Sequence, residues 1–184
     1  SIHGNMIAKE IIVGYAGMPM EKHRKRSRKT SPTHTVVLRL SFGLTTPKTT
    51  CTIVLMKIVA DTSTFLAVAL NEPERERIIR LSEGHEVIAP DVLPFEIGNA
   101  LAAMMKKKVL RREEVIAAWE VVQRIPVDLR PTDIPAALQV AMQWNLYAYD
   151  AYFLICAENL RGPLLTLDLG MQQVAREMGI SLLE

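Results

Sequence analysis

The chain has 184 residues, 49% of them hydrophobic, with 22 Lys/Arg against 20 Asp/Glu. That is length for one ordinary domain with an appendage, and enough apolar content to bury a core without staples. Two cysteines, Cys51 and Cys156, make no disulfide framework and read as reduced thiols, so the expected compartment is the cytoplasm. No apolar run reaches the roughly 20 residues of a membrane helix, and the basic N-terminal region lacks the apolar stretch of a signal peptide.

Charge divides the chain. Residues 1–55 carry 9 Lys/Arg and 2 Asp/Glu, and residues 56–184 carry 13 and 18. The run E-K-H-R-K-R-S-R-K-T-S-P-T-H is too charged and too poor in apolar residues to pack. It reads as a disordered or non-native extension, with a nucleic-acid tether as the functional alternative. Within residues 1–55, T-V-V-L-R-L-S-F is a candidate strand. Met56 marks the expected start of the folded domain, residues 56–184.

From there strands and helices alternate. K-I-V-A is a buried strand, and Asp61-Thr62-Ser63 supplies capping side chains for a helix through F-L-A-V-A-L. Pro73 opens a second helix that Gly84 ends. E-V-I-A is the next strand, and Pro90-Asp91 starts a helix over about 91–108. Apolar residues recur there at Val92, Phe95, Gly98/Asn99, Ala102 and Met105, close to helical spacing. Residues 112–124 form another helix with Trp119 and Val122 inward. P-V-D-L is a short strand, residues 132–145 and 149–160 are helices, and P-L-L-T is a strand. A helix over 168–178 stops at Gly179, and I-S-L-L is a final strand. The alternation predicts an α/β fold with a central parallel sheet covered on both faces.

Binding sites in such sheets lie beyond the carboxyl ends of the strands. Asp61 ends the first strand, Asp168 follows the strand at Thr166, Asp150 opens a helix, and Glu96 lies about one turn into its helix. Each aspartate alone reads as a helix cap, and Glu96 alone as a solvated helix residue. Four carboxylates at one edge of a sheet would instead demand a cation, and all-oxygen ligation suits Mg²⁺ or Mn²⁺. Such an ion activates water and stabilises the oxygens of a phosphodiester displacement.

Residues 56–184 resemble a PIN domain, and more closely a VapC-type toxin ribonuclease of bacterial or archaeal toxin–antitoxin pairs. The resemblance rests on the strand ending in Asp61-Thr62-Ser63, the E-x-x-N-x-L pattern through Glu96, Asn99 and Leu101, the Y-D-A-Y run around Asp150, and L-L-T-L-D with Asp168. It implies a three-layer α/β/α sandwich and RNA hydrolysis with Mg²⁺ or Mn²⁺. It also implies that Asp61, Glu96, Asp150 and Asp168 are the metal-binding and catalytic set, with Ser63, Asn99 and Thr166 orienting carboxylates and waters. A homodimer and a small inhibitory antitoxin protein are implied as well. Residues 1–55 match nothing in the family pattern, and L-G-M after Asp168 lacks an acidic residue that some relatives carry.

Other features are weighed beside this. Lys106-Lys107-Lys108 and Arg111-Arg112 suit a helix C-terminus and solvent, or RNA phosphates. His3, His23, His34 and His85 have no metal-ligand spacing. Trp119 and Trp144 read as core or interface residues. No Gly-rich phosphate loop follows the first strand. A phosphatase of haloacid-dehalogenase type needs aspartate where Ser63 stands, and a receiver domain needs a lysine that residues 163–184 lack. The remaining alternative is a non-catalytic PIN-like module that binds RNA or protein.

Overall fold

A computed structural model describes residues 56–184. The expectations for residues 1–55, including the strand at 35–42, lie outside the described residues. Four strands and seven helices are found among the described residues: β1 Lys57–Ala60, α1 Thr62–Ala69, α2 Arg75–Ser82, β2 Glu86–Pro90, α3 Leu93–Lys106, α4 Arg112–Val122, β3 Asp128–Arg130, α5 Ile134–Trp144, α6 Ala148–Leu160, β4 Leu164–Leu165 and α7 Leu169–Glu177. The strands form one parallel sheet in the order β3-β2-β1-β4, with Val59 opposite both Ile88 and Leu164. β1 and β2 are therefore central and apolar, as strands covered on both faces must be.

Successive side chains of a strand point to opposite faces. Ile58 and Leu165 pack on one side with Ala67 of α1 and Ile78 of α2. Val59 and Leu164 pack with Phe153 and Leu154 of α6 in the larger core cluster. The result is the α/β/α layering expected from the sequence. Each of the large buried aliphatic and aromatic side chains stabilises the fold by about 1.5–3 kcal/mol relative to exposure.

Local chemistry sets the element ends. Asp61, Asp133 and Asp168 cap α1, α5 and α7 by accepting backbone N–H groups on their side chains. Gly84 and Gly179 take positive φ where α2 and α7 have ended. Gly162 is constrained differently: a Cβ there would lie 2.5 Å from the Lys57 carbonyl oxygen, so β1 and the turn before β4 approach too closely for any side chain.

Two expectations are corrected. On α3 the recurring set at Val92, Phe95, Gly98, Asn99, Ala102 and Met105 is the outward side: Phe95, Gly98 and Asn99 are exposed, and the others are only half-buried. The core takes Leu93, Ile97, Ala100, Leu101 and Met104 instead, a stripe of the same period with bulkier aliphatic residues. The expected final strand at 180–183 is reduced to one bridge between Leu182 and Leu164. With β4 only two residues long, the tail finds a short piece of ladder: Leu164 N–H donates to Ser181 O at 2.8 Å, and Leu183 N–H to Leu164 O at 2.9 Å.

Candidate active site

The carboxyl end of β1 delivers Asp61 directly into the cap of α1. Its Oδ1 accepts from the Ser63 hydroxyl at 2.7 Å and from Thr64 N–H at 3.2 Å, and its Oδ2 accepts from the Thr166 hydroxyl at 2.8 Å. Ser63 Oγ also accepts from Leu167 N–H, and Thr166 Oγ1 from Asp168 N–H, both at 3.0 Å. Two hydroxyls thus act alike. Each donates to Asp61 and accepts from the backbone just past β4, which ties the ends of adjacent strands β1 and β4 together. Asp61 cannot rotate without breaking contacts on both of its oxygens.

Glu96 comes from α3, the helix after β2. The buried Thr62 in the first turn of α1 donates its hydroxyl to Glu96 Oε2 at 2.6 Å. Thr62 is legible in the sequence only as part of a cap. Its role as a partner of Glu96 spans 34 residues and leaves no local signal. Asp150 lies in the first turn of α6, and Asp168 is the cap of α7, with Oδ1 accepting from Met171 N–H at 2.9 Å.

Electrostatics shows which of the four feel one another. Asp61 is 3% exposed, and burial pushes its carboxyl from 3.8 up to about 6 even though Ser63, Thr166 and Thr64 donate to it. Burial pushes Glu96 further, to about 7, against the pull of the Thr62 hydroxyl, and the charges of Asp61 and Asp150 add to the rise. Asp61, Glu96 and Asp150 therefore share one electrostatic neighbourhood. Asp168, 6% exposed, joins it through the hydrogen-bonded path from its own N–H to Thr166 and on to Asp61. Asn99 is exposed on α3, one turn beyond Glu96 and outside the hydrogen-bonded group around Asp61.

The donor set fits a hard divalent cation. It is all oxygen, Asp61 and Asp168 are buried and Glu96 and Asp150 half-buried, and the charges of Asp61 and Asp150 raise Glu96. Oδ2 of Asp61 has a second lone pair beyond the one that takes the Thr166 hydroxyl. Among the described residues, no three Asp, Glu, His or Cys side chains are grouped as a ready-made metal cage.

The chain is similar in sequence to known proteins. Ribonuclease VapC3 of Pyrobaculum aerophilum is 29% identical over 118 residues, which cover 61% of this chain and 90% of that protein. The crystal structure of PAE2754 from Pyrobaculum aerophilum superposes with a TM-score of 0.49 at 22% identity, covering 65% of this chain and 86% of that one. The family model described as PIN domain matches residues 58–177, from the second residue of β1 to the last of α7, and by that match the chain belongs to the PIN-domain family.

Proposed function

We propose that this chain is a Mg²⁺- or Mn²⁺-dependent endoribonuclease, the toxin of a toxin–antitoxin pair. It would work in the cytoplasm as a homodimer and be silenced by a small antitoxin protein. The nuclease occupies residues 56–184, and the basic segment 1–55 is an extension to it. One observation carries the reading: Asp61 and Glu96, buried at the carboxyl end of a parallel sheet, are both pushed toward neutrality with Asp150 in electrostatic reach. Burying two carboxylates, one of them further raised by its acidic neighbours, costs stability that a purely structural cap would not require. The family match and the similarity to a ribonuclease support the substrate.

Asp61, Glu96, Asp150 and Asp168 would hold the cation, with Asp61 fixed in orientation by Ser63 and Thr166. The bound ion supplies an activated water and neutralises charge on the phosphodiester. The Thr62 hydroxyl engages Glu96 Oε2 and leaves Oε1 as the oxygen that could accept a proton. Asp168 keeps α7 in place through its cap and keeps the Thr166 bridge closed through its N–H.

The test is cleavage of labelled RNA by the purified chain. Activity should need Mg²⁺ or Mn²⁺, stop with EDTA, and disappear in Asp61→Asn and Asp150→Asn, as should growth inhibition on expression. Cleavage that survives chelation or either substitution refutes the assignment. RNA binding with no cleavage in either metal supports the non-catalytic binding module instead.

A further inference from the structure

Thr62 is the first residue of α1 and is 7% exposed. Inside a helix, a threonine hydroxyl bonds a carbonyl three or four residues back. Here those carbonyls, on Ile58 and Val59, belong to β1. The hydroxyl reaches across to α3 instead and donates to Glu96 Oε2 at 2.6 Å. That is the length of a hydroxyl–carboxylate bond, about 2.5–2.7 Å. Among the described residues no second donor is found on Glu96.

Such donors decide how many oxygens each carboxylate has left. Asp61 Oδ1 accepts from Ser63 and Thr64, which fills both of its lone pairs. Oδ2 accepts from Thr166 and keeps one lone pair. Asp61 can therefore give a cation one oxygen only. On Glu96 the Thr62 hydroxyl occupies one side of Oε2, so a grip on an ion through both oxygens would compete with that bond. Thr62 suits this task. Its β-branched side chain is stiff at χ1, whereas a glutamate alone is long and free to turn.

Cations of different size respond differently to that restriction. Ca²⁺ takes about six to eight oxygens at about 2.3–2.6 Å, often two from one carboxylate. Mg²⁺ holds to an octahedron at about 2.0–2.1 Å and keeps several waters. One oxygen from each carboxylate satisfies Mg²⁺ and leaves Ca²⁺ short of ligands.

Resting on the metal-dependent reading above, we propose that Thr62 is a positioning residue that holds Glu96 to one-oxygen ligation and so sets the preference of the site for Mg²⁺ over Ca²⁺. It touches the ligand and not the ion, and it acts beside Ser63 and Thr166, which restrict Asp61 in the same way.

The test uses the full 184-residue chain. The affinities for MgCl₂ and CaCl₂ are read from the rise of the unfolding midpoint with metal concentration, at constant ionic strength. Thr62→Val removes the hydroxyl and keeps the shape. It should raise the ratio of Ca²⁺ to Mg²⁺ affinity about tenfold, the worth of one hydrogen bond to a charged group. Thr62→Ser retains the donor and should keep the wild-type ratio. If Thr62→Val does not fold, Thr62→Ala should show the same rise. In cleavage with Mg²⁺, added Ca²⁺ should inhibit Thr62→Val at about a tenth of the concentration that inhibits wild type. An unchanged ratio in folded Thr62→Val or Thr62→Ala overturns the role of Thr62, and the nuclease stands if the wild-type chain cleaves RNA with Mg²⁺. An equal rise in Thr62→Val and Thr62→Ser traces the effect to packing and overturns it as well. A wild-type chain whose midpoint neither metal moves removes both readings.

Discussion

Removing the charge of Asp61 should stabilise the metal-free protein while destroying its activity. The folded protein holds the Asp61 proton up to about pH 6, whereas the carboxyl ordinarily loses it near 3.8. Between those values the folded state binds more protons than the unfolded one, so stability falls as pH rises through this window. The shift of about two units corresponds to about 3 kcal/mol of stability lost by pH 8. The amide introduced by Asp61→Asn carries no charge there and would still cap α1, because asparagine caps as well as aspartate. It would accept only on its carbonyl, so the Thr166 hydroxyl loses its acceptor at a cost of about 1 kcal/mol. Asp61→Asn should therefore gain about 2 kcal/mol at pH 8, a rise in Tm of about 5–10 °C for a domain of this size. At pH 5, about half-way through that window, the gain should shrink to about 0.6 kcal/mol, and below pH 4 it should reverse. Urea unfolding in EDTA at both pH values measures this directly. Equal wild-type stability at pH 5 and pH 8, or an Asp61→Asn protein weaker than wild type at pH 8, would refute the reasoning.

Three further outcomes are expected. Saturating Mn²⁺ at about 100 times its Kd should stabilise the wild type by about 2.7 kcal/mol at neutral pH and Asp61→Asn by much less, read as Tm with and without metal. Thr166→Val breaks the bridge between Asp61 Oδ2 and Asp168 N–H; it should cost about 2 kcal/mol and move the acid limb of the cleavage pH profile upward, because Asp61 loses a donor that holds its pKa down. Gly162→Ala should cost about 2 kcal/mol or more by forcing β1 away from the turn before β4, seen as a lower urea midpoint with an unchanged slope.

The alternation of elements and the positions of the acidic residues at helix starts are legible in the sequence because both are local. Caps need a short polar side chain within three residues of the N–H groups they bind, and Asp61, Asp133 and Asp168 all obey this. The buried face of α3 is not legible, because two stripes of helical period coexist on it. Leu93, Ile97, Leu101 and Met104 differ from Phe95, Asn99 and Ala102 in which partner they meet, and the sequence of a helix does not name its neighbours. The hydroxyl bridges are hidden for the same reason. Thr62 meets Glu96 across 34 residues and Thr166 meets Asp61 across 105, so their pairing exists only once the sheet is assembled. The tail strand shrinks to a bridge because β4 offers so little edge to pair with.

The capping role of Asp61 and Asp168 has a consequence for descent. At both positions one carboxyl oxygen anchors a helix start, and asparagine serves that purpose equally well. A lineage can thus shed the charge by a single exchange and keep an intact architecture. Inert descendants should be easy to reach from this scaffold, and a relative that retains the helix anchors with amides in place of acids would be such a case.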